Sequence, residues 1–504
     1  MATQEQTEAQ APAPATEGLA DISAELIDTD ASKVVRRLMR HGHEAYLVGG
    51  CVRDLLLHRK PKDFDVATSA TPNEIKKLFR NSRIIGRRFR LAHIFFGPKI
   101  IETSTFRAQP VAEGEELLIR RDNVFGTARE DALRRDFTIN GLFLDVRENR
   151  VIDHVEGLAD LRSRRIRTIG DPRLRIQEDP VRIIRAVKFA TRLGFVFDPT
   201  TEDAMVEFRG LIAMCSVARV LEEIYRLLGS GHAAPALRAM HQIGALDVLL
   251  PEVAAVMGPS PHPGAREPVL PIQDLGNAPH PSDEEEAPPR DAEPAPVSDS
   301  AATPEKLESF RATIEQLIEV VVGRDDEARL QAGRRMWEYL EALDRLTGQS
   351  PAPTARSAST PPAHLQLTQG QIPHSLLLAA TICGLAERNL RAEVALKDAV
   401  PALEHLVQAI CSRLRVSRRD RERLKQILVA QRRMVHRGKR RRPSALLQRD
   451  YFPEAWQLFQ MRCAITGEDR DSLERWQQLM DDRSKEGGRR RRSRRRRSRP
   501  RQDS

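Results

Sequence analysis

Two acidic side chains with one residue between them, Asp63 and Asp65, offer the clearest chemistry in this 504-residue chain. Their apolar flanks predict an extended strand, in which alternate side chains point the same way. The two carboxylates are therefore expected to face one point in space. Paired acidic oxygens suit Mg²⁺, which proteins usually hold through one or two carboxylates together with substrate phosphates.

A glycine pair, Gly49-Gly50, stands shortly upstream, between the apolar run Ala45–Val48 and a predicted helix over Cys51–Leu57. Glycine lets the backbone approach a bulky anion, and a helix N-terminus favours phosphate. Either feature alone is weak evidence, since most Asp-x-Asp pairs are solvated and most Gly-Gly pairs are turns. Together, in one strand–turn–helix–strand unit, they predict phosphoryl or nucleotidyl transfer.

A second motif, Arg134-Arg135-Asp136-Phe-Thr-Ile-Asn140, combines two guanidinium groups, an acid and an amide. Two interpretations are open. The segment is a helix end with salt-bridged charges, or its guanidiniums hold phosphate or ribose oxygens, whose geometry matches the arginine fork. In the second case Asp136 orients the guanidiniums, accepts a ribose hydroxyl or assists the metal site.

A third motif contains Asp179, Arg182 and Arg185, at i, i+3 and i+6 around the start of a helix predicted over Pro180–Leu193. This spacing places the three side chains near one helix face. A carboxylate beside a guanidinium can pair with a nucleobase edge, with Asp179 accepting from the adenine amine and Arg182 donating to a ring nitrogen. The alternative is an ordinary helix start, with proline in the first turn and acids at the positive end of the dipole.

Basic residues supply the candidates for RNA binding, which are Arg87, Arg88, Arg90, Arg490 and Arg495. The first three precede an apolar strand and either contact RNA backbone or triphosphate or form a charged strand end. The last two belong to the run 489–501, which contains ten arginines and no acid. Such a run is expected to be disordered and to attract polyanions, chiefly nucleic acid.

Composition limits the class of protein. The chain has 81 basic and 71 acidic residues, and the run 489–501 accounts for the excess, so the remainder is near neutral. The five cysteines are scattered without a Cys-x-x-Cys motif, which indicates reduced thiols rather than disulfides or zinc. Neither a signal-peptide pattern nor an apolar stretch of membrane-spanning length is found, so we predict a soluble, cytoplasmic protein with no membrane partner.

The pattern of elements predicts an α+β protein, with a small mixed sheet in a catalytic head followed by helical regions. Composition predicts disordered termini and a disordered Pro-rich insertion. The expected organisation is a disordered tail (1–25), a catalytic head (26–156), a helical region (157–257), a Pro-rich acidic insertion (258–304), a helical C-terminal region (305–480, with a linker at 349–362) and an arginine-rich RNA-binding tail (481–504).

Residues from about 45 to 250 resemble the class II nucleotidyltransferases, which comprise tRNA CCA-adding enzymes and bacterial poly(A) polymerases. Four motifs appear in the order that family uses: Leu47-Val-Gly-Gly-Cys-Val-Arg-Asp54, Asp63-Phe-Asp65, Arg134-Arg-Asp136 and Glu178-Asp-Pro-Val-Arg182. The segment Leu78–His93 and the arginine-rich tail look more like the poly(A) polymerase branch.

The resemblance implies a polymerase-β-like nucleotidyltransferase head, followed by all-helical neck, body and leg regions. It implies that 157–257 is a neck and body for nucleobase and RNA binding. It also implies Mg²⁺ as cofactor and ATP as substrate, with Asp63 and Asp65 binding the metal. Two acids compete for the place of a third catalytic carboxylate, Glu102 on a later predicted strand and Asp136.

The same resemblance assigns residues to the nucleotide. Gly49, Gly50, Arg53 and Asp54 would serve the triphosphate, and Asp136 would serve the ribose and catalysis. Arg135 would share the ribose and catalysis with Asp136, and Asp179 and Arg182 would lie at the base. Arg185, near the same predicted helix face, is a further candidate for nucleotide binding.

The expected activity is template-independent addition of AMP to RNA 3′ ends by two-metal catalysis, with release of pyrophosphate. The family implies a role in mRNA processing and RNA decay, and we expect a monomer with RNA-decay proteins as candidate partners. The nearest alternative is a CCA-adding tRNA nucleotidyltransferase. A more distant one is a non-catalytic RNA-binding protein that kept this fold.

Overall fold

The computed structural model describes residues 16–19, 22–86, 90–108, 125–262, 264, 304–347, 372–391, 393–435 and 443–482. Four predicted RNA contacts lie outside these ranges: Arg87, Arg88, Arg490 and Arg495. Most of the predicted insertion and the whole of the predicted linker at 349–362 lie outside them as well.

Two compact units make up the chain, 1–208 and 209–504. The first contains a mixed β-sheet with helices, and the described part of the second is helical. The predicted α+β class is therefore confirmed, although the sheet has eight strands and is larger than the sequence indicated. Across the described residues, no helix combines the length and apolarity needed to cross a membrane.

The strands of the first unit are β1 (Thr16–Leu19), β2 (Ala45–Val48), β3 (Asp65–Thr68), β4 (Ser82–Ile85), β5 (Leu91–Phe96), β6 (Lys99–Thr105), β7 (Leu142–Asp145), β8 (Arg150–Asp153) and the short parallel pair β9 (Arg165–Ile166) and β10 (Val196–Phe197). Its helices are α1 (Thr29–Arg40), α2 (Gly50–Leu56), α3 (Pro72–Leu78), α4 (Ala128–Leu133), α5 (Gly157–Ser163), α6 (Pro172–Glu178), α7 (Val181–Leu193) and α8 (Pro199–Phe208).

The large sheet has the order β1-β8-β7-β2-β3-β6-β5-β4. Neighbouring strands are antiparallel except β3 and β6, which are parallel. Because side chains alternate along each strand, the sheet has two distinct faces. Leu47 and Val66 belong to a core shared with α1 and α3, whereas Val48 and Ala67 belong to a separate cluster on the other face.

Local signals in the sequence explain where the helices on the first face begin. The Asp28 carboxylate accepts from the backbone N–H groups of Asp30 (2.9 Å) and Ala31 (3.0 Å), which caps α1. Thr71 and Glu74 form a capping box at the start of α3. These caps satisfy amides that the first turn of a helix leaves without partners.

The helices of the second unit are α9 (Val217–Leu228), α10 (Ala233–Gln242), α11 (Leu246–Leu249), α12 (Pro251–Ala254), α13 (Pro304–Val321), α14 (Asp326–Leu346), α15 (His374–Leu390), α16 (Leu396–Arg413), α17 (Arg418–Val435), α18 (Pro443–Leu446) and α19 (Phe452–Thr466), with a further helical segment over 470–482. A buried bidentate ion pair joins Arg413 to Glu252, with N–O distances of 2.5 and 2.6 Å. All three tryptophans, Trp337, Trp456 and Trp476, lie in this unit.

Two predictions about local structure are wrong. The predicted disordered tail includes Thr16–Leu19, which pairs antiparallel with β8, and Ile22, which is buried. The strand that was expected to contain both aspartates begins at Asp65, so Asp63 lies in the bend that precedes it. The backbone hydrogen bonds of β3 to β2 and β6 set this boundary, and the apolar flanks alone do not reveal it.

Candidate active site

The turn between β2 and α2 brings backbone and guanidinium into direct contact. Gly49 has φ +74° and ψ −130°, and its amide donates to the Leu142 carbonyl (3.1 Å). A Cβ at this position would lie 3.0 Å from Nη1 of Arg135. Glycine is therefore required both by the positive φ and by the close approach. Arg135 thus places a positive charge beside Gly49, and the Arg53 guanidinium lies close to Gly50.

Arg135 is held in place by its own surroundings. Its Nε and Nη2 donate to Oδ2 of Asp131, at 3.2 and 2.9 Å, and the guanidinium lies over the Phe143 ring, 5.4 Å from the centroid. The i,i+4 spacing of the acid and the arginine along one turn allows the contact. This arrangement leaves a fixed cation beside the glycine turn.

Two acidic residues from parallel strands, Asp65 and Glu102, face each other near that cation, and they are called here the acidic pair. Asp65 on β3 is in register with Glu102 on β6, and both line a cavity of about 290 Å³ that Arg135 also lines. The Asp65 side chain reaches solvent, yet protein surrounds most of it. Burial, followed by the charge of Glu102, raises the pKa of Asp65 to about 6, and the Asp63 charge adds to this effect while Arg135 opposes it.

Asp63 is exposed in the bend before β3. Between it and Asp65 stands Phe64, which is buried, so the alternation in burial persists although the strand does not extend to Asp63. Asp63 is two residues from Asp65, and its charge is the smallest contribution to the raised pKa of that acid. The structure thus brings Asp63, Asp65 and Glu102 to one region.

Asp136 occupies a different environment from these three acids. It accepts from Nε and Nη2 of Arg185 (2.9 and 2.6 Å), from Nδ2 of Asn140 (3.1 Å) and from the Phe137 amide (2.8 Å). Burial opposes ionisation here, but the Arg185 charge and the hydrogen bonds outweigh it and lower the pKa of Asp136 to about 2. Asp136 is therefore a paired carboxylate that connects the segment after α4 to α7.

Arg53 and Asp54, predicted to serve the triphosphate, form a buried group beneath the glycine turn. The Arg53 Nε and Nη2 atoms donate to Oδ1 of Asp54 (2.8 and 2.7 Å), and Nη1 donates to Oδ1 of Asn140 (2.6 Å). Arg192 of α7 donates to the other oxygen of Asp54 (3.0 Å). Asn140 thus links Arg53 to Asp136, and this network fixes α2 relative to α7.

The predicted nucleobase-reading face is not a single helix face. Asp179 is the residue after α6, with φ −149° and ψ 86°, and α7 begins two residues later. Arg182 is buried, and its Nη1 donates to the Arg175 carbonyl and to Glu178 (3.2 Å). Arg185 points to Asp136 instead. The i, i+3, i+6 argument is wrong because proline ends one helix and starts another between Asp179 and Arg182.

Sequence reasoning missed two residues of the site, His93 beside Glu102 and Asp131 beside Arg135. His93 on β5 is in register with Glu102, and its Nε2 lies 3.5 Å from Oε1 of that acid. Asp131 could have been found from its i,i+4 spacing to Arg135, whereas His93 depends on strand register. Arg90, a predicted RNA contact, is exposed with φ +34°. Within the described residues, no group of three or more His, Cys, Asp or Glu side chains is arranged to hold a metal by itself.

Models of known protein families match three regions of this chain. The Poly A polymerase head domain matches residues 45–167, the probable RNA and SrmB-binding site of polymerase A matches 194–257, and the polymerase A arginine-rich C-terminus matches 389–503. The head match contains the glycine turn, both strands of the acidic pair and Asp136.

Curated relatives agree with these matches. Poly(A) polymerase I of Haemophilus influenzae is 43% identical over 244 residues, which are 47% of this chain and 54% of the relative. Poly(A) polymerase I of Escherichia coli O157:H7 is 45% identical over 241 residues, 46% of this chain and 52% of the relative. A CCA-adding enzyme of Bacillus pumilus is 37% identical over 213 residues, 42% and 52% of the two chains. The chain thus spans about half the length of the curated relatives it matches.

A solved structure of a tRNA nucleotidyltransferase with a primer tRNA and an incoming ATP analog has a TM-score of 0.50 at 18% identity, covering 90% of this chain and 98% of that one. This likeness supports the fold. The three matched regions are all domains of polymerase A. The chain belongs to the family that comprises bacterial poly(A) polymerases and tRNA CCA-adding enzymes.

Proposed function

We propose that the protein is a poly(A) polymerase, which adds AMP from ATP to RNA 3′ ends without a template and releases pyrophosphate. The main observation in support of nucleotidyl transfer is the in-register pair Asp65–Glu102, which lies beside Arg135 at the Gly49 turn. The arginine-rich C-terminal match and the identity to poly(A) polymerase I support the choice of this branch.

We infer that the acidic residues bind a divalent cation together with substrate phosphates, since no group of three or more His, Cys, Asp or Glu side chains among the described residues holds one alone. Burial, followed by the charge of Glu102, raises the pKa of Asp65, and carboxylate oxygens are the ligands that Mg²⁺ prefers. Asp63, Asp65 and Glu102 would hold Mg²⁺, with triphosphate oxygens completing its coordination. When bound, the metal supplies charge neutralisation at the reacting phosphate and at the leaving pyrophosphate. Glu102 suits the place of the third carboxylate better than Asp136, whose oxygens are engaged by Arg185 and Asn140.

The remaining residues of the site bind and orient. Arg135 and the Gly49 turn would receive the triphosphate, and Asp131 fixes the guanidinium so that little freedom is lost on binding. The network of Arg53, Asp54 and Asn140 would hold the turn rigid beneath it. The RNA 3′-hydroxyl would then lose its proton to water and its oxygen would bond to the α-phosphorus, while the bond from that phosphorus to the pyrophosphate oxygen breaks. Base reading by Asp179 and Arg182 stays a prediction.

Substitution of the acids tests the proposal. Asp63→Ala and Asp65→Ala should each reduce ATP-dependent tailing of a labelled RNA by several orders of magnitude, because transition-state charge would be left unstabilised. Asp203→Ala is the matched control, since Asp203 is an exposed acid on α8, and it should tail normally. Near-native tailing by the Asp65 variant would refute the assignment.

A second activity is favoured by one observation, the 37% identity to a CCA-adding enzyme. Each NTP should therefore be offered separately with a generic RNA and with tRNA that lacks its 3′ end. A poly(A) polymerase makes long products from ATP alone. Incorporation of CTP into the truncated tRNA, with addition stopping after three nucleotides, would instead identify a CCA-adding enzyme.

A further inference from the structure

The face of the sheet opposite the acidic pair is covered by α1 and α3. Both helices bury apolar residues in one core, Val34, Val35 and Leu38 from α1 and Ile75 from α3. Val66 of β3 belongs to the same core. Asp65 is the neighbour of Val66 on the strand, so it points to the other face. The outward surfaces of α1 and α3 are therefore separated from the candidate active site by the whole sheet.

Exposed cations dominate these outward surfaces. They form what is called here the rear basic surface: Lys33, Arg36, Arg37, Arg40, Lys76, Lys77 and Arg80. The residues from α1 and those in and after α3 are adjacent, because the Arg37 guanidinium lies 5.3 Å from the ring centroid of Phe79, the residue after α3.

Few acids neutralise this surface. Asp30 is bound by Lys33 (2.9 Å) and by Lys99, and Glu74 is engaged by Thr71 in the capping box. Among the described residues, no acidic side chain pairs with Arg36, Arg37 or Arg40. The charge is not a general property of the protein either, since the residues outside 489–501 are near neutral overall. Cations gathered in this way indicate a polyanionic partner.

The chemistry of the surface favours RNA over a protein. Protein interfaces have a centre that is depleted in charge and enriched in aromatic and apolar side chains. Here the aromatic residue, Phe79, is buried beneath Arg37. Arg36, Arg37 and Arg40 follow one face of α1 within about one turn, and guanidinium forks match phosphate oxygens. No exposed ring is present on these two helices for base stacking, so contact would be to phosphates and independent of sequence.

We propose that the rear basic surface binds the phosphate backbone of the RNA substrate, 5′ of the end that reacts. The proposal rests on the proposed function in that RNA is the substrate. An RNA whose 3′ end lies at the acidic pair reaches this surface only after passing around the edge of the sheet. Long RNA would therefore gain affinity from the rear basic surface, and a very short RNA would not.

The test uses the full chain and two triple variants. Arg36→Gln, Arg37→Gln and Arg40→Gln together remove three charges, whereas the matched triple Arg→Lys variant keeps them. Fluorescence anisotropy measures the Kd for labelled RNAs of about 6 and about 30 nucleotides over a range of salt concentrations. Each lost phosphate contact should reduce the salt slope by about 0.7 for single-stranded RNA.

The triple Gln variant should bind the long RNA on the order of tenfold more weakly at moderate salt, with a slope reduced by about 2. It should bind the short RNA normally and extend it with ATP at the wild-type rate. The Lys variant should retain most of the long-RNA affinity. Equal Kd values and slopes for wild type and the Gln variant would overturn the proposal, and so would an equal loss in the Lys variant. Failure of the wild type to add AMP would instead count against the proposed function, since RNA binding is measured without ATP.

Discussion

The ion pair between Asp136 and Arg185 allows a prediction in which the size of the effect follows from the structure. The Asp136 side chain is 12% exposed and the Arg185 side chain 30%. A carboxyl whose pKa is 3.8 without these contacts and about 2 with them contributes about 2 kcal/mol to stability at neutral pH. Because folding lowers the pKa, this contribution is present above about pH 5 and is lost as the pH falls towards 2.

A double-mutant cycle isolates the pair. Asp136→Asn, Arg185→Gln and the double variant should show a favourable coupling energy at pH 7 of about 0.5–3 kcal/mol, the range for residues that share one ion-pair network. Hydrogen exchange of peptides from β7 and α7 measures the local free energy of opening on either side of the contact. The tryptophans lie only in the second unit, so unfolding followed by their fluorescence should be the same in all four proteins and serves as the internal control.

Two results would refute the reasoning about this pair. The first is additivity of the single variants at pH 7, which would mean that Asp136 gains nothing specific from Arg185. The second is a coupling energy that stays constant between pH 7 and pH 3. In that range the unfolded-state carboxyl, with a pKa near 3.8, takes up a proton while the folded one, with a pKa of about 2, largely does not, so part of the stabilisation must be lost.

Further predictions concern glycine geometry and the second unit. Gly49→Ala should raise the KM for ATP about tenfold or more, because the new Cβ displaces Arg135. Gly42→Ala is the matched control, because Gly42 also has a positive φ (+84°) but has open space around it. This control should lower the melting temperature and leave the KM for ATP unchanged. Glu252→Gln should destabilise the second unit by about 3–5 kcal/mol, since it leaves Arg413 buried without its charge partner. Glu341→Gln, which removes the charge of an exposed ion pair with Arg238, should lower the free energy of unfolding by less than about 1 kcal/mol. Unfolding followed by tryptophan fluorescence measures both variants.

Features that depend on neighbouring residues could be predicted from the sequence. The apolar run Ala45–Val48 forms a strand with the predicted bounds. The helix after Gly49 also forms, because glycine supplies the positive φ that the sharp turn needs. Residues 1–15 lie outside the described ranges, so the predicted disorder there stays a prediction.

Features that depend on distant pairing could not be predicted. The choice between Glu102 and Asp136 was open because it depends on the parallel pairing of β3 with β6, which skips two strands in the sequence. The burial of Arg182 depends on how α6 and α7 pack, and their sequences show only a plausible helix start. Edge strand β1 was missed because its polar composition resembles a tail, and only its partner β8 makes it a strand.

The parallel pairing of β3 with β6 has a consequence for how the protein is made. Strands β4 and β5, together with α3, lie between them in the chain, so the two facing acids meet only after a long crossover closes. Contacts of this kind form late, since chain closure must precede them. A chain emerging from the ribosome therefore presents Asp65 well before Glu102 can pair with it, and the surroundings of Gly49 are completed later still, because they include Arg135 and Leu142.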